Sequence, residues 1–157
     1  MIRAILMCLI LVLVPVVLAK LEPGCVTIKN FYNGKFLTHS NKNHDKDRRH
    51  VSLWDSSELW ILIVSGDHYR LRHRDLNEEL FESEQYYNGN YVFTWIPKQS
   101  VTAGEFDIWE SRPGYFYMQN VKFRHCLSST FWKGWVGAYP ECNKNGENEW
   151  EIKNVKC

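Results

Sequence analysis

The chain has 157 residues, with 19 Lys and Arg against 18 Asp and Glu. A charge this evenly balanced gives no global attraction to nucleic acid or to an anionic membrane, and no nucleic-acid partner is expected. Seven Trp, 8 Tyr and 8 Phe favour strands and binding surfaces over long helices.

The N-terminus reads as a secretory leader. Arg3 supplies the charged start, residues 5–18 are apolar apart from Pro15, and Val17 and Ala19 suit signal cleavage after Ala19. The apolar run is shorter than the ~20 residues a membrane helix needs, and no later stretch is apolar enough to span. Residues 20–157 are then one secreted domain, large enough to bury a core. Cys8 leaves with the leader. Cys25, Cys126, Cys142 and Cys157 remain, an even number that argues for two disulfides with three possible pairings. No C-x-x-C and no histidine pair near a cysteine pair is present, so neither a metal nor a cofactor is expected. No N-x-S/T acceptor for N-glycosylation occurs.

Short strand-like runs separated by Gly, Asn, Asp and Pro fill the rest of the chain. The runs at 115–119, 124–128, 136–139 and 150–152 show a four-strand unit most plainly. Tyr69, Leu71, Leu80 and Phe81 lie 46 residues before Tyr115, Tyr117, Cys126 and Leu127. Val92 and Trp95 lie 44 residues before Val136 and Tyr139. An aromatic, one spacer and Leu or Ile recur at Trp60-Ile61-Leu62, Phe106-Asp107-Ile108 and Trp150-Glu151-Ile152. Strand side chains alternate, so both apolar residues of each copy share one face. The chain is therefore all-β, with pseudo-repeats at about 25–66, 67–112 and 113–157. In this respect it resembles the β-trefoil class, three repeats of four short strands around a shared core. A twelve-strand sandwich is the rival architecture. The resemblance implies that the chain ends meet, which pairs Cys25 with Cys157. It also implies a hairpin that pairs Cys126 with Cys142.

Catalytic motifs are missing: there is no G-x-S-x-G, H-E-x-x-H, P-loop or G-x-G-x-x-G. The protein is read as a binding protein and not an enzyme. Ricin-type lectins carry Q-x-W in each repeat, but here the matching Gln is absent from all three copies, and Glu147 stands where that family places Asn. Tyr139 could stack on a sugar, yet Trp60, Phe106 and Trp150 read as core. The loops between second and third strands differ among the copies: residues 41–50 are charged, residues 86–91 carry Tyr86 and Tyr87, and residues 131–135 carry Trp132 and Trp135. Loops on a rigid scaffold are usual binding elements, so these four aromatics are candidate partner-binding residues. Arg70, Arg72 and Arg74 alternate on one strand face. With Arg48 and Arg49 they are candidate anion-binding residues for sulfate or phosphate groups of a glycosaminoglycan. Residues 97–104 form a long loop with Lys98 as a candidate bait residue for a protease.

Four mature cysteines, with Trp54, Trp60, Trp95, Trp109, Trp132, Trp135 and Trp150, make the chain similar to the cysteine- and tryptophan-rich salivary proteins of blood-feeding mosquitoes, best known from Culex. That resemblance implies an extracellular saliva protein that acts on host molecules. The expected partner is a host protein or glycan, and the expected state is a monomer. A lectin-like glycan binder and a protease inhibitor are the alternatives.

Overall fold

The computed structural model describes residues 21–157, so the expected leader lies outside the described residues. Among the described residues there are twelve antiparallel strands: β1 (Gly24–Asn30), β2 (Phe36–Asn43), β3 (Arg48–Trp54), β4 (Trp60–Ser65), β5 (His68–His73), β6 (Glu79–Tyr86), β7 (Asn90–Trp95), β8 (Phe106–Arg112), β9 (Tyr115–Asn120), β10 (Cys126–Ser128), β11 (Gly137–Tyr139) and β12 (Trp150–Asn154). One short 3-10 turn, Trp132–Gly134, lies between β10 and β11.

The structure corrects the expected β-trefoil of three four-strand repeats. All twelve strands belong to one sheet, which closes on itself as an antiparallel barrel. The expected boundaries cut through its longest ladders. β4 pairs β5 from Trp60↔His73 to Ser65↔His68, across the boundary at 66/67. β8 pairs β9 from Phe106↔Asn120 to Arg112↔Tyr115, across 112/113. β12 returns to pair β1 from Val26↔Asn154 to Asn30↔Trp150. With β1–β4, β5–β8 and β9–β12, these pairings leave no edge on that ring of strands. The sequence units are thus not structural units, because the hydrogen bonds that close the barrel run between them. The hairpins β2–β3, β6–β7 and β10–β11 cover one end, joined by β3–β7 and β7–β11 pairing and by a bridge between Ser52 and Trp135.

The core follows from alternation. Trp60, Phe106 and Trp150 are fully buried, among Val26, Ile28, Leu37, Leu62, Leu71, Leu80, Met118 and Leu127. Buried indole N–H groups need acceptors. Trp60 Nε1 donates to the Leu37 carbonyl at 2.9 Å, and Trp150 Nε1 to that of Leu127 at 3.2 Å. The repeat register shifts by one residue from the sequence reading. The turns after β1, β5 and β9 have the same backbone closure, from Asn30 N–H to Lys35 O, His73 to Glu78 and Asn120 to His125. Counting from these turns, Leu71 and Leu80 correspond to Met118 and Leu127, not to Tyr117 and Cys126. A slip of one residue exchanges strand faces, and the core holds Met118 and Leu127.

Both expected disulfides are present. Cys25 and Cys157 bring the chain ends together with Cα atoms 5.3 Å apart, and Cys126–Cys142 spans the same distance beside β10.

Candidate binding surface

The ladders β3–β7 and β7–β11 set the three hairpin loops side by side. His50 faces Phe93 across one and Gly137 faces Tyr91 across the other. These strands carry aromatic side chains away from the main core, and a second cluster forms from Phe81, Tyr91, Phe93 and Phe131, with Trp95, Trp135 and Tyr139 packed on it. Tyr91 stacks on Phe93 at 5.4 Å, and Phe131 meets Tyr91 edge-on at 4.9 Å. The approach requires Gly137, where an added Cβ would lie 2.1 Å from the Phe131 ring.

On this base sits a more exposed layer. Trp135 lies flat on His50 with ring centres 3.5 Å apart. Trp132 meets Trp135 nearly at right angles at 5.8 Å, and Tyr87 lies 4.9 Å from Trp132. Lys133, with φ 57°, places Nζ 4.4 Å from the Trp132 ring centre. Tyr87 is 53% exposed and Trp132 43%, whereas Trp135 is half-buried. The structure therefore brings Tyr87, Trp132 and Trp135 together. Tyr86 is 71% exposed on the same hairpin.

The charged first loop contributes to the same surface. Asp45 holds Arg48 through Nε at 2.7 Å, and this bond lowers the Asp45 pKa to about 2. His50 is buried beneath Trp135. Burial first, then the nearby charges of His44, Arg48 and Lys133, lowers its pKa to about 4, against an upward pull from Asp45. The base of the surface is therefore neutral above that pH.

The five arginines do not form a row of free cations. Arg70 is half-buried and held by Glu79 and Glu105. Arg49 makes a two-pronged contact with the buried Glu78 at 2.9 and 3.0 Å. Arg48 is held by Asp45 and Gln85, and the exposed Arg74 pairs with Asp75. Arg72 is half-buried, and its Nε has no partner among the described residues. Lys98 is exposed with φ 62°. Its loop is held further along by Arg70 Nη1 on the Val101 carbonyl and Asn120 Nδ2 on the Ala103 carbonyl.

Sequence reading missed one group. His39, Glu58 and His73 bring ligand-type atoms within 4.8 Å of one another. Glu58 accepts the His39 backbone N–H at 2.7 Å and sits 2.9 Å from His73 Nε2. His73 Nδ1 accepts the Leu76 N–H at 3.2 Å, so in the neutral ring the proton is on Nε2, directed at Glu58. Both nitrogens are thus engaged, and the group is a hydrogen-bonded lock, not a set of free ligands. The matching turns explain it. Asn30 Oδ1 accepts two turn N–H groups and Asn120 Oδ1 accepts two more. His73 does the same work with a ring, whose far nitrogen then needs a carboxylate. The equivalence of the three turns shows only in their backbone hydrogen bonds, so the sequence carried no signal for this contact.

A cavity of about 440 Å³ is lined by Ser128, Thr130, Tyr139, Glu141, Glu147 and Asn148, among others. Asn148 spends its amide inside the fold, donating to the Leu127 carbonyl and accepting from the Asn143 N–H.

A disulfide-closed antiparallel barrel with an aromatic loop surface is the class these features define. No protein-family model matches the chain, and a search of curated proteins finds no match. Solved structures do match. A salivary protein of the Cysteine and Tryptophan-Rich (CWRC) family from Culex quinquefasciatus is 44% identical, with TM-score 0.81, over 90% of this chain and 99% of that one. A second CWRC salivary protein from the same species is 25% identical, with TM-score 0.74, over 87% and 96%. A designed threefold-symmetric protein, ThreeFoil, shares the fold at 15% identity and TM-score 0.72, over 84% of this chain and 99% of that one. The chain belongs to the CWRC salivary family. Its two disulfides fit an oxidising, extracellular setting, and no helix among the described residues is long and apolar enough to cross a membrane.

Proposed function

We propose that this salivary protein is secreted after cleavage behind Ala19 and acts without catalysis, as a monomer, by binding a host protein through Tyr87, Trp132 and Trp135, with Tyr86 at the margin. The observation that supports this most is the packing of exposed rings on a rigid aromatic base. Aromatic anchors held in place lose little entropy on binding and dominate interface energetics. Affinity capture from host plasma with the wild-type protein, followed by mass spectrometry, identifies the partner. Trp132→Ala then weakens its binding by about 2 kcal/mol, roughly thirtyfold, while thermal stability stays within about 1 kcal/mol of wild type. Retention of the same partner by wild type and Trp132→Ala alike would rule out this surface.

A glycan is the second reading, supported by the cavity beside Tyr139, where hydroxyls and carboxylates flank an aromatic ring. Binding on a glycan array that disappears in Tyr139→Ala, and persists at high salt, supports a sugar. Binding abolished by salt supports an ionic contact with a sulfated chain instead.

A further inference from the structure

We propose that a separate cavity, between β6, the loop 97–104 and the turn after β9, binds a small anionic amphiphile. Its volume is about 550 Å³, within the range of small-molecule sites. The apolar part is built from Phe81, Trp95, Val101, Ala103 and Phe123. Phe81 and Trp95 meet edge-on at 5.8 Å, and Val101 packs on the same cluster.

The walls are set before any ligand arrives. The Ala103 carbonyl accepts from the Glu82 N–H at 3.1 Å and from Asn120 Nδ2 at 2.8 Å, and the Val101 carbonyl accepts from Arg70 Nη1 at 3.2 Å. Three hydrogen bonds from three different elements therefore hold one side of the cavity, and such preorganisation lowers the entropic cost of binding.

Charge selects the ligand. Arg48 and Lys122 are the two cations among the lining residues. Lys122 pairs with the exposed Glu84 at 2.9 Å, a contact of the kind that contributes little and exchanges readily, and its Nζ lies 5.0 Å from the Phe123 ring centre. Arg48 keeps Asp45 on its Nε, outside the lining, while its Nη1 donates on the cavity side to Gln85 at 2.9 Å and Ser83 at 3.5 Å, neutral partners that an anion can replace. The other acid in the lining, Glu82, is turned into the fold, where Asn90 Nδ2 donates to it at 2.8 Å and His125 Nδ1 lies at 2.6 Å. Burial holds Glu82 toward its neutral form, which reduces its repulsion of an anionic head. An apolar body with one sulfonate or carboxylate fits this arrangement.

The test titrates the whole mature protein with 8-anilinonaphthalene-1-sulfonate, and with uncharged N-phenyl-1-naphthylamine as its neutral counterpart. Saturable fluorescence enhancement by the sulfonate is expected. Val101→Glu, which puts a charge on the apolar wall, and Thr102→Trp, which fills the exposed mouth, each weaken it by about tenfold or more. The Arg48→Gln, Lys122→Gln double variant loses the sulfonate preference but still binds the neutral probe. Thr102→Trp alters only an exposed side chain, so it reports on the cavity even where Val101→Glu disturbs folding. Sulfonate binding that survives both blocking variants, or that is lost in Trp132→Ala, overturns the site. Equal affinity for the two probes overturns its anion selectivity.

Discussion

His50 shows how one residue can make the aromatic surface sensitive to acid. Its folded-state pKa of about 4 lies below the ordinary histidine value of 6.5, chiefly through burial. The fold thus favours the neutral ring. The stabilisation is fully present above about pH 6.5 and is lost as pH falls through about 4, with a total on the order of 3 kcal/mol. The charged groups that face it are His44, Arg48, Lys133 and Asp45, on the first and third loops. Three of these resist a further positive charge. Urea unfolding at pH 7 and pH 4 measures the loss, and His50→Gln removes that part of the difference. An unchanged pH dependence in His50→Gln would locate the acid sensitivity elsewhere. The disulfide cysteines and the core tryptophans were legible at this scale, from an even cysteine count and the repeated strand motif, whereas the exposure of the loop aromatics was not, since Trp132 is exposed and Trp135 half-buried within one short turn. The Glu58–His73 contact was not legible either, because it depends on a histidine taking the place of a turn asparagine.

Among the elements, β11 depends most on a close approach. Gly137 admits the Phe131 ring, and that ring meets Tyr91, the residue opposite Gly137 on β7, edge-on. Gly137→Ala forces the ring to move and should cost about 1–3 kcal/mol, read as a lowered midpoint in denaturant unfolding. A near-neutral result would mean that the second aromatic cluster is loosely packed. The strands themselves followed from alternation. The third-copy runs read at 115–119, 124–128, 136–139 and 150–152 correspond to β9, β10, β11 and β12 within two residues at their ends. Their register was less secure. Tyr117 and Met118 are both apolar neighbours, so local pattern alone did not decide which of them faces inward.

For the whole molecule, the bond between Cys25 and Cys157 joins ends 132 residues apart in sequence. A closed loop of that length restricts the unfolded chain by about 4–5 kcal/mol in the entropic account. The Cys25→Ser, Cys157→Ser double variant should therefore lower the melting temperature markedly. It should do so more than loss of the Cys126–Cys142 bridge, which closes a loop of only 16 residues. Equal losses would show that native packing, and not loop length, governs both bridges. The arrangement of the sheet also belongs to this scale. The repeated aromatic motif suggested three units, but pairing across 66/67 and 112/113 merged them into one closed sheet.

The sequence alone determined the all-β class, the fully buried Trp60, Phe106 and Trp150, and the family resemblance. These depend on residue type and on the two-residue period of a strand, both local properties. Tertiary structure alone decided which strands pair, which arginines remain available and which loop aromatics meet. Each of those depends on distances between residues far apart in the chain. Glu78, just before β6, engages Arg49, Glu79 at the start of β6 engages Arg70, and two separate hairpins bring Tyr87 and Trp132 into contact.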